Sequence, residues 1–239
     1  MSSPRLAIVT LALTLAFAVS PLLVADFNGF DADQFPIPQV NPPVQPAGYA
    51  FAIWGVIYLW LILGMGFGVL RRAHDPDWQP MRKPLCVSLA IGAIWLAVAA
   101  HSPLWATVLI WAMLVSALVA LYRAPVQDRA WAAYPLGFYA GWLSAASCVS
   151  LGLITAGHGL LAQNTAAMVF IFAALVLSSG VQSTLRRAPT YGIAAIWALV
   201  AIVVHNLSGD PVVAALAGGG AIALARPTFK AWRAERPLP

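Results

Sequence analysis

Eight stretches of this chain are predominantly apolar and contain no Asp, Glu, Lys or Arg: Leu6–Val24, Tyr49–Leu70, Pro84–Ala100, Leu104–Tyr122, Tyr134–Ala156, Asn164–Leu185, Tyr191–Val204 and Pro211–Ala225. An uncharged run of about 20 apolar residues matches the thickness of a bilayer when it is helical. A helix is also the open-ended structure that satisfies every backbone polar group within its own segment, as lipid demands. Charge supports this reading. Only 9% of the 239 residues are charged, against about 25% in a soluble domain, too few to cover a water-facing surface. The expected fold class is all-α, a polytopic transmembrane helical bundle of about eight spans. The last two runs fall short of the roughly 17–25 residues of a usual span.

The breaks between runs alternate in charge. Arg5 precedes the first run; Arg71, Arg72, Arg82 and Lys83 follow the second. Arg123 and Arg129 follow the fourth, Arg186 and Arg187 the sixth, and Arg226, Lys230, Arg233 and Arg236 the eighth. The alternate breaks hold Asp26, Asp31, Asp33, His101, His158, His205 and Asp210, with no Lys or Arg. By the positive-inside rule this predicts an even number of spans and two cytoplasmic termini, in a multi-pass protein of a bacterial inner membrane. Arg5 and the apolar run ending Leu23-Val24-Ala25 also fit a cleaved signal peptide. The run's length and Pro21 near its end favour a retained helix. The net charge of +5 is accounted for by these topological residues, so no nucleic-acid partner is expected.

The longest break without basic residues, Ala25–Gly48, contains Pro36, Pro38, Pro42, Pro43 and Pro46. Proline at this density excludes regular helix and favours a stiff, extended chain. It is read either as a linker or as a lid over the outer end of the bundle. Of the ten tryptophans, Trp78, Trp105, Trp131 and Trp232 lie near breaks and suit an interfacial belt. Trp54, Trp95, Trp142 and Trp197 lie deeper, where they either pack between helices or line a pocket for a flat apolar ligand. His101, His158 and His205 share the outer side near Asp210 and are alternative ligands for a haem iron or metal, or pH reporters. Cys86 and Cys148 lie inside runs without CxxC spacing and are expected to pack as small apolar residues. Gly64/Gly68 and Gly137/Gly141 are each four apart, a spacing for close helix contact within one chain or in a homodimer.

Nucleophile-elbow, zincin, Walker and Rossmann motifs are absent. Without acids or bases inside the spans, neither an ion-driven pump nor carboxylate catalysis is indicated. The expectation is a protein that is not an enzyme.

Residues 41–60, NPPVQPAGYAFAIWGVIYLW, resemble the signature of the TspO/MBR family, the tryptophan-rich sensory or translocator proteins: a proline-rich loop and then an aromatic helix, PPxxxFxxxWxxLY. Pro46, Trp54, Gly55 and Tyr58 fit it. Phe51 stands three residues before Trp54, where the family spacing is four. The family's third-helix Asn-x-x-Trp-Pro corresponds to Gly92, Trp95 and Leu96, keeping the tryptophan alone. Its fifth-helix Tyr-Pro matches Tyr134 and Pro135; the next tryptophan falls at Tyr139 and a later asparagine at Ser147. This similarity covers roughly residues 6–156. It implies a five-helix region over 1–157, followed by a three-helix extension over 158–225 and a basic cytoplasmic tail over 226–239.

The resemblance implies binding of tetrapyrroles such as haem or protoporphyrin, or of sterols, beneath the loop joining the first two helices. It also implies a role in sensing, regulation or transport, often as a dimer. Haem or porphyrin would be a ligand; no other cofactor and no metal site is expected. With the deep aromatics, the candidate ligand-binding set is Pro46, Phe51, Trp54, Tyr58, Trp95, Tyr134, Tyr139 and Trp142. The leading expectation is a membrane-embedded sensor, surrounded by lipid, with a small apolar ligand. The alternatives are a transporter of an apolar or amphipathic solute and an assembly protein of a membrane complex.

Overall fold

The computed structural model describes residues 4–24 and 29–235. Residues 25–28 of the proline-rich break and the tail residues 236–239 lie outside it. Eight helices follow one another: α1 (Pro4–Val19), α2 (Ile53–Arg72), α3 (Gln79–Ala99), α4 (Pro103–Tyr122), α5 (Ala133–Gly157), α6 (Gln163–Leu185), α7 (Thr190–Asn206) and α8 (Pro211–Ala234). Seven helical segments are long and apolar enough to cross a membrane; α7, at 17 residues, is shorter. At 1.5 Å per residue it reaches about 26 Å, against a hydrocarbon core of about 30 Å. The protein is an integral, multi-pass, all-helical membrane protein.

Boundaries moved for identifiable reasons. Pro21 has no N–H to give, so α1 stops at Val19 and a 3-10 turn covers Ser20–Leu22, five residues short of the expected Val24. A second 3-10 turn, Gly48–Ala52, takes the expected start of α2. Residues expected in a tail are helical as far as Ala234, so α8 extends nine residues beyond Ala225. Its amphipathic end carries Arg226, Lys230 and Arg233 beyond the apolar run.

Helix α5 is the axis. Of its membrane-length window 72% is buried, against 28–44% for the six other candidate spans. Its sequence explains this: Gly137, Ala140, Gly141, Ser144, Ala145 and Ser147 are all buried, and small side chains let neighbours close in from every side. Helices α4, α6 and α7 pack along it and α2 touches it; α1 sits between α2 and α3, and α8 between α6 and α7. A Cβ on Gly141 would collide with the Tyr191 carbonyl, and one on Gly64 with the Trp131 carbonyl; one on Gly137 or Gly68 would meet Thr190 Oγ1 at 2.7 Å or Trp78 Cζ3 at 2.8 Å. Both glycine pairs are therefore used inside one chain. The apolar core also runs across residue 157, because Tyr191, Ala194, Ala198 and Ala201 of α7 join the cluster built from α1–α5.

Arginines at the basic end do more than set topology. Arg82 is buried and donates to the carbonyls of Gly68 (3.2 Å), Arg72 (2.8 Å) and Ala73 (3.1 Å), closing the C-terminus of α2. Arg187 does the same for α4 through Leu121, Tyr122 and Ala124. Arg72 grips Asp128 with Nε–Oδ2 at 2.7 Å, and Trp78 Nε1 donates to the same oxygen at 3.3 Å. Trp78 was expected in the interfacial belt but is 1% exposed. The short 73–78 connection folds it back into the room left by Gly68. Trp105, at 63% exposure, does face outward.

Two outcomes follow. Gly141→Leu forces the α5 and α7 backbones apart and is expected to destabilise by about 3 kcal/mol or more. Gly66→Ala, with open space around it, should be neutral or stabilising by up to about 1 kcal/mol. Thermal melts in detergent check both. The hydrogen bond from Arg72 also holds the Asp128 carboxyl below its ordinary 3.8. A depressed carboxylate contributes stability above its unfolded pKa and loses it as pH falls through the native one. Asp128→Asn should therefore melt lower than wild type at neutral pH, and the gap should close below pH 3.8.

Candidate functional site

At the end opposite the arginines, α1–α5 and the 3-10 turn before α2 enclose a cavity of about 480 Å³. The spacing of Phe51, Trp54 and Tyr58 (i, i+3, i+7) sets these rings on one helical face, and all three line the cavity. Trp54 stacks on Tyr58 with centroids 5.4 Å apart at 20°. Phe17 of α1 meets both edge-on, at 5.7 Å from Trp54 and 5.0 Å from Tyr58. Trp95 enters from α3, its indole N–H donating to the Ala106 carbonyl at 2.8 Å and so fixed to α4. A smaller lobe of about 60 Å³ lies directly under the proline-rich segment, between Phe30, Pro46, Trp142 and Leu153. Phe51, Trp95 and Ile110 border both lobes, and Phe51 rests edge-on against Trp142 at 5.9 Å.

Of the eight expected residues, Phe51, Trp54, Tyr58 and Trp95 line the main lobe, and Pro46 and Trp142 the smaller one. Tyr139 lies behind the lining. Its ring packs 5.7 Å from Phe17, and its hydroxyl pairs with Ser88 Oγ at 2.9 Å, which in turn donates to the Met113 carbonyl. Tyr134 is misplaced by the sequence reading. It opens α5 at the basic end, where its hydroxyl donates to Glu235 Oε2 and its carbonyl accepts from Thr190. Trp197 is also outside the cavity, 38% exposed, with its N–H on the Ala50 carbonyl.

Phe17 and Gly92 are among the lining residues absent from the expected set. Phe17 is the one aromatic in an otherwise aliphatic helix, which was the available signal. Gly92 makes room for it: a Cβ there would stand 2.6 Å from the Phe17 ring and 3.1 Å from Met113 Cε. The place of the asparagine in the related third-helix segment is thus filled by a ring from α1.

The proline-rich segment is fastened across the outer ends of the bundle. Gln34 Nε2 donates to Ala99 and Ala100 carbonyls at the end of α3, and Ile37 N to the Gly157 carbonyl at the end of α5. Asn206 Nδ2 of α7 donates to the Pro43 carbonyl at 2.9 Å, and Ala47 N to the Ala201 carbonyl at 3.1 Å. Where the segment dips among the helices, these bonds and the one from Trp197 satisfy backbone groups that lipid would leave stranded.

The outer-side histidines do not converge. His101 and His158 each bond a carbonyl four residues back, and His205 Nε2 is buried without a hydrogen-bond partner. None borders the aromatic cavity, and no group of three His, Cys, Asp or Glu able to hold a metal occurs among the described residues. Cys86 and Cys148 are free thiols, Cys86 beside Thr10 Oγ1 at 3.3 Å.

No curated protein and no solved structure matches the chain. The TSPO-like protein family model matches residues 6–229, beyond the point near residue 156 where the motif resemblance ended and into α8. With all eight helices reached by that match, the chain belongs to the TSPO-like protein family.

Proposed function

We propose that this protein is a non-catalytic membrane sensor or regulator that holds a flat apolar ligand of the tetrapyrrole class beneath its proline-rich segment. The cavity carries the reading. Its volume of about 480 Å³ falls within the roughly 300–1,000 Å³ of small-molecule sites. Its walls are ring faces and edges, which favour a planar π-system through stacking and dispersion. Asp, Glu, Lys, Arg and His are missing from its lining, so affinity rests on apolar burial, at most about 25 cal/mol per Å² before the costs of binding. The hydroxyls of Tyr49 and Tyr58 are the ionisable groups of this lining, with no carboxylate or imidazole beside them, which supports a binding rather than a catalytic role. We further read the arginine-rich end as cytoplasmic by the positive-inside rule, which sets the cavity and its covering segment on the outer side.

Protoporphyrin IX titrated into the purified protein, followed by the shift of its own absorption band, tests this. A Trp54→Ala, Trp95→Ala double variant should bind at least about tenfold more weakly, equivalent to 1.4 kcal/mol. Tyr134→Phe, at the other end of the bundle, should bind as wild type. Equal affinity in the double variant and wild type would remove the assignment. If the covering segment retains the ligand, Asn206→Ala, which frees the Pro43 carbonyl, should raise the dissociation rate about fivefold, the worth of one neutral hydrogen bond. Stopped-flow dilution measures it.

A further inference from the structure

A second cavity has a different chemistry. At the arginine-rich end, α6 and α8 part to leave a crevice of about 710 Å³, larger than the aromatic lobe. Ser179, Ser183 and Arg186 border it from α6, and Ala223, Arg226 and Lys230 from α8. The spacing accounts for the alignment: 179 and 183, like 226 and 230, are four apart and share a helical face. Pro227, also on its wall, has no N–H to give the Ala223 carbonyl. No acidic side chain borders the crevice. Arg186, Arg226 and Lys230 form no ion pair with any carboxylate among the described residues. The nearest acid along the chain, Glu235, is taken by the Tyr134 hydroxyl and the Ala188 N–H.

These cations differ from the other arginines of this end. Arg82 and Arg187 are spent on helix carbonyls. Arg186 instead ends α6 in the left-handed conformation (φ 51°), where glycine is the usual residue. Lipid-facing side chains continue from the crevice towards mid-membrane: Val176 and Phe172 on α6 and Ile222 on α8 are 55%, 58% and 78% exposed. Three unpaired cations and two hydroxyls thus stand at the end of the spans, above an apolar flank.

We propose that the α6–α8 crevice binds the phosphate headgroup of an anionic phospholipid, with its acyl chains lying along Val176, Phe172 and Ile222. Arg186, Arg226 and Lys230 meet the charge, and Ser179 and Ser183 donate to phosphate oxygens; unpaired basic pockets between helices at headgroup depth suit such lipids. A zwitterionic lipid carries its own ammonium and does not need three cations. The proposal is independent of the aromatic cavity and of what binds there.

Native mass spectrometry of the full chain, with phosphatidylglycerol or phosphatidylcholine of matched acyl chains added, tests it. Wild type is expected to keep one phosphatidylglycerol under activation that strips phosphatidylcholine. Arg226→Gln with Lys230→Gln should retain it about fivefold less or weaker still, whereas Arg71→Gln with Lys83→Gln, exposed cations of α2 and α3 at the same end, should retain it as wild type. Ser183→Leu, at an exposed position that leaves the core untouched, should also lower retention and decides the matter if the double variant does not fold. Equal retention of the two lipids, full retention in Ser183→Leu or the Arg226/Lys230 variant, or displacement of phosphatidylglycerol by excess inorganic phosphate would overturn the proposal; the last would mark a site for a soluble anion.

Discussion

The close approach of α7 to α5 sets the positions of nearly everything else. In lipid no hydrophobic force draws two apolar helices together, so association rests on packing and on hydrogen bonds between helices. Gly137 and Gly141 let the start of α7 press its backbone onto α5, where any side chain would collide with Thr190 and Tyr191. Ser144 and the Tyr191 hydroxyl then bond at 2.7 Å, and Thr190 Oγ1 donates to the Tyr134 carbonyl at 2.8 Å. This polar seam is fully satisfied inside the core, the condition under which buried polar groups specify one arrangement instead of several.

The outer half of α7 is the next link. The proline-rich segment descends beside its outer half, so that Ala47 N reaches the Ala201 carbonyl and the Ala50 carbonyl reaches Trp197. The 3-10 turn Gly48–Ala52 is held there, and it carries Phe51 into the wall shared by both lobes of the cavity. The aromatic site is therefore built by α1–α5 but kept closed from above largely by bonds to α5 and α7. For α7 this is a structural role in a helix that motif resemblance alone would set aside as an extension.

The helices were legible in the sequence because lipid imposes one simple demand, a continuous apolar run, which seven helices meet in full and α7 in shorter form. Their ends were less legible where other physics takes over: Pro21 cutting α1 short, and α8 continuing past Ala225 into charged turns that still suit a helix. Within the site, Phe51, Trp54 and Tyr58 were readable through the proline-rich and aromatic signature they resemble, and helical spacing sets them on one face. Phe17 was not, although it shares the buried face of α1 with Thr10 and Thr14, the two hydroxyls that break an otherwise apolar run. Trp78 was misread. Nearness to a break between runs suggested an interface, yet Arg82 and Arg72 there bend onto carbonyls and Asp128 and bury the ring beside them. Tyr134 shows the limit of motif transfer. Its Tyr-Pro step starts a helix, and a helix start lies at the end of the bundle, a full span away from the cavity its later turns support.

The two ends of the bundle divide polar chemistry between them. At the outer end, neutral amides of Gln34 and Asn206 tie a segment rich in proline, whose own N–H groups are few, so that side chains supply the donors the backbone lacks. At the other end the donors are guanidinium groups, which suit the negative ends of helix dipoles and can satisfy two or three terminal carbonyls at once. A cation used in this way is already neutralised by dipoles and attracts little more. What distinguishes Arg186, Arg226 and Lys230 is that they border open space instead of carbonyls, so their charge is available to something outside the chain. The same loop arginines that a topology rule counts as equal are therefore physically unequal, and it is their hydrogen-bond partners that separate those holding the fold from those free to hold a ligand.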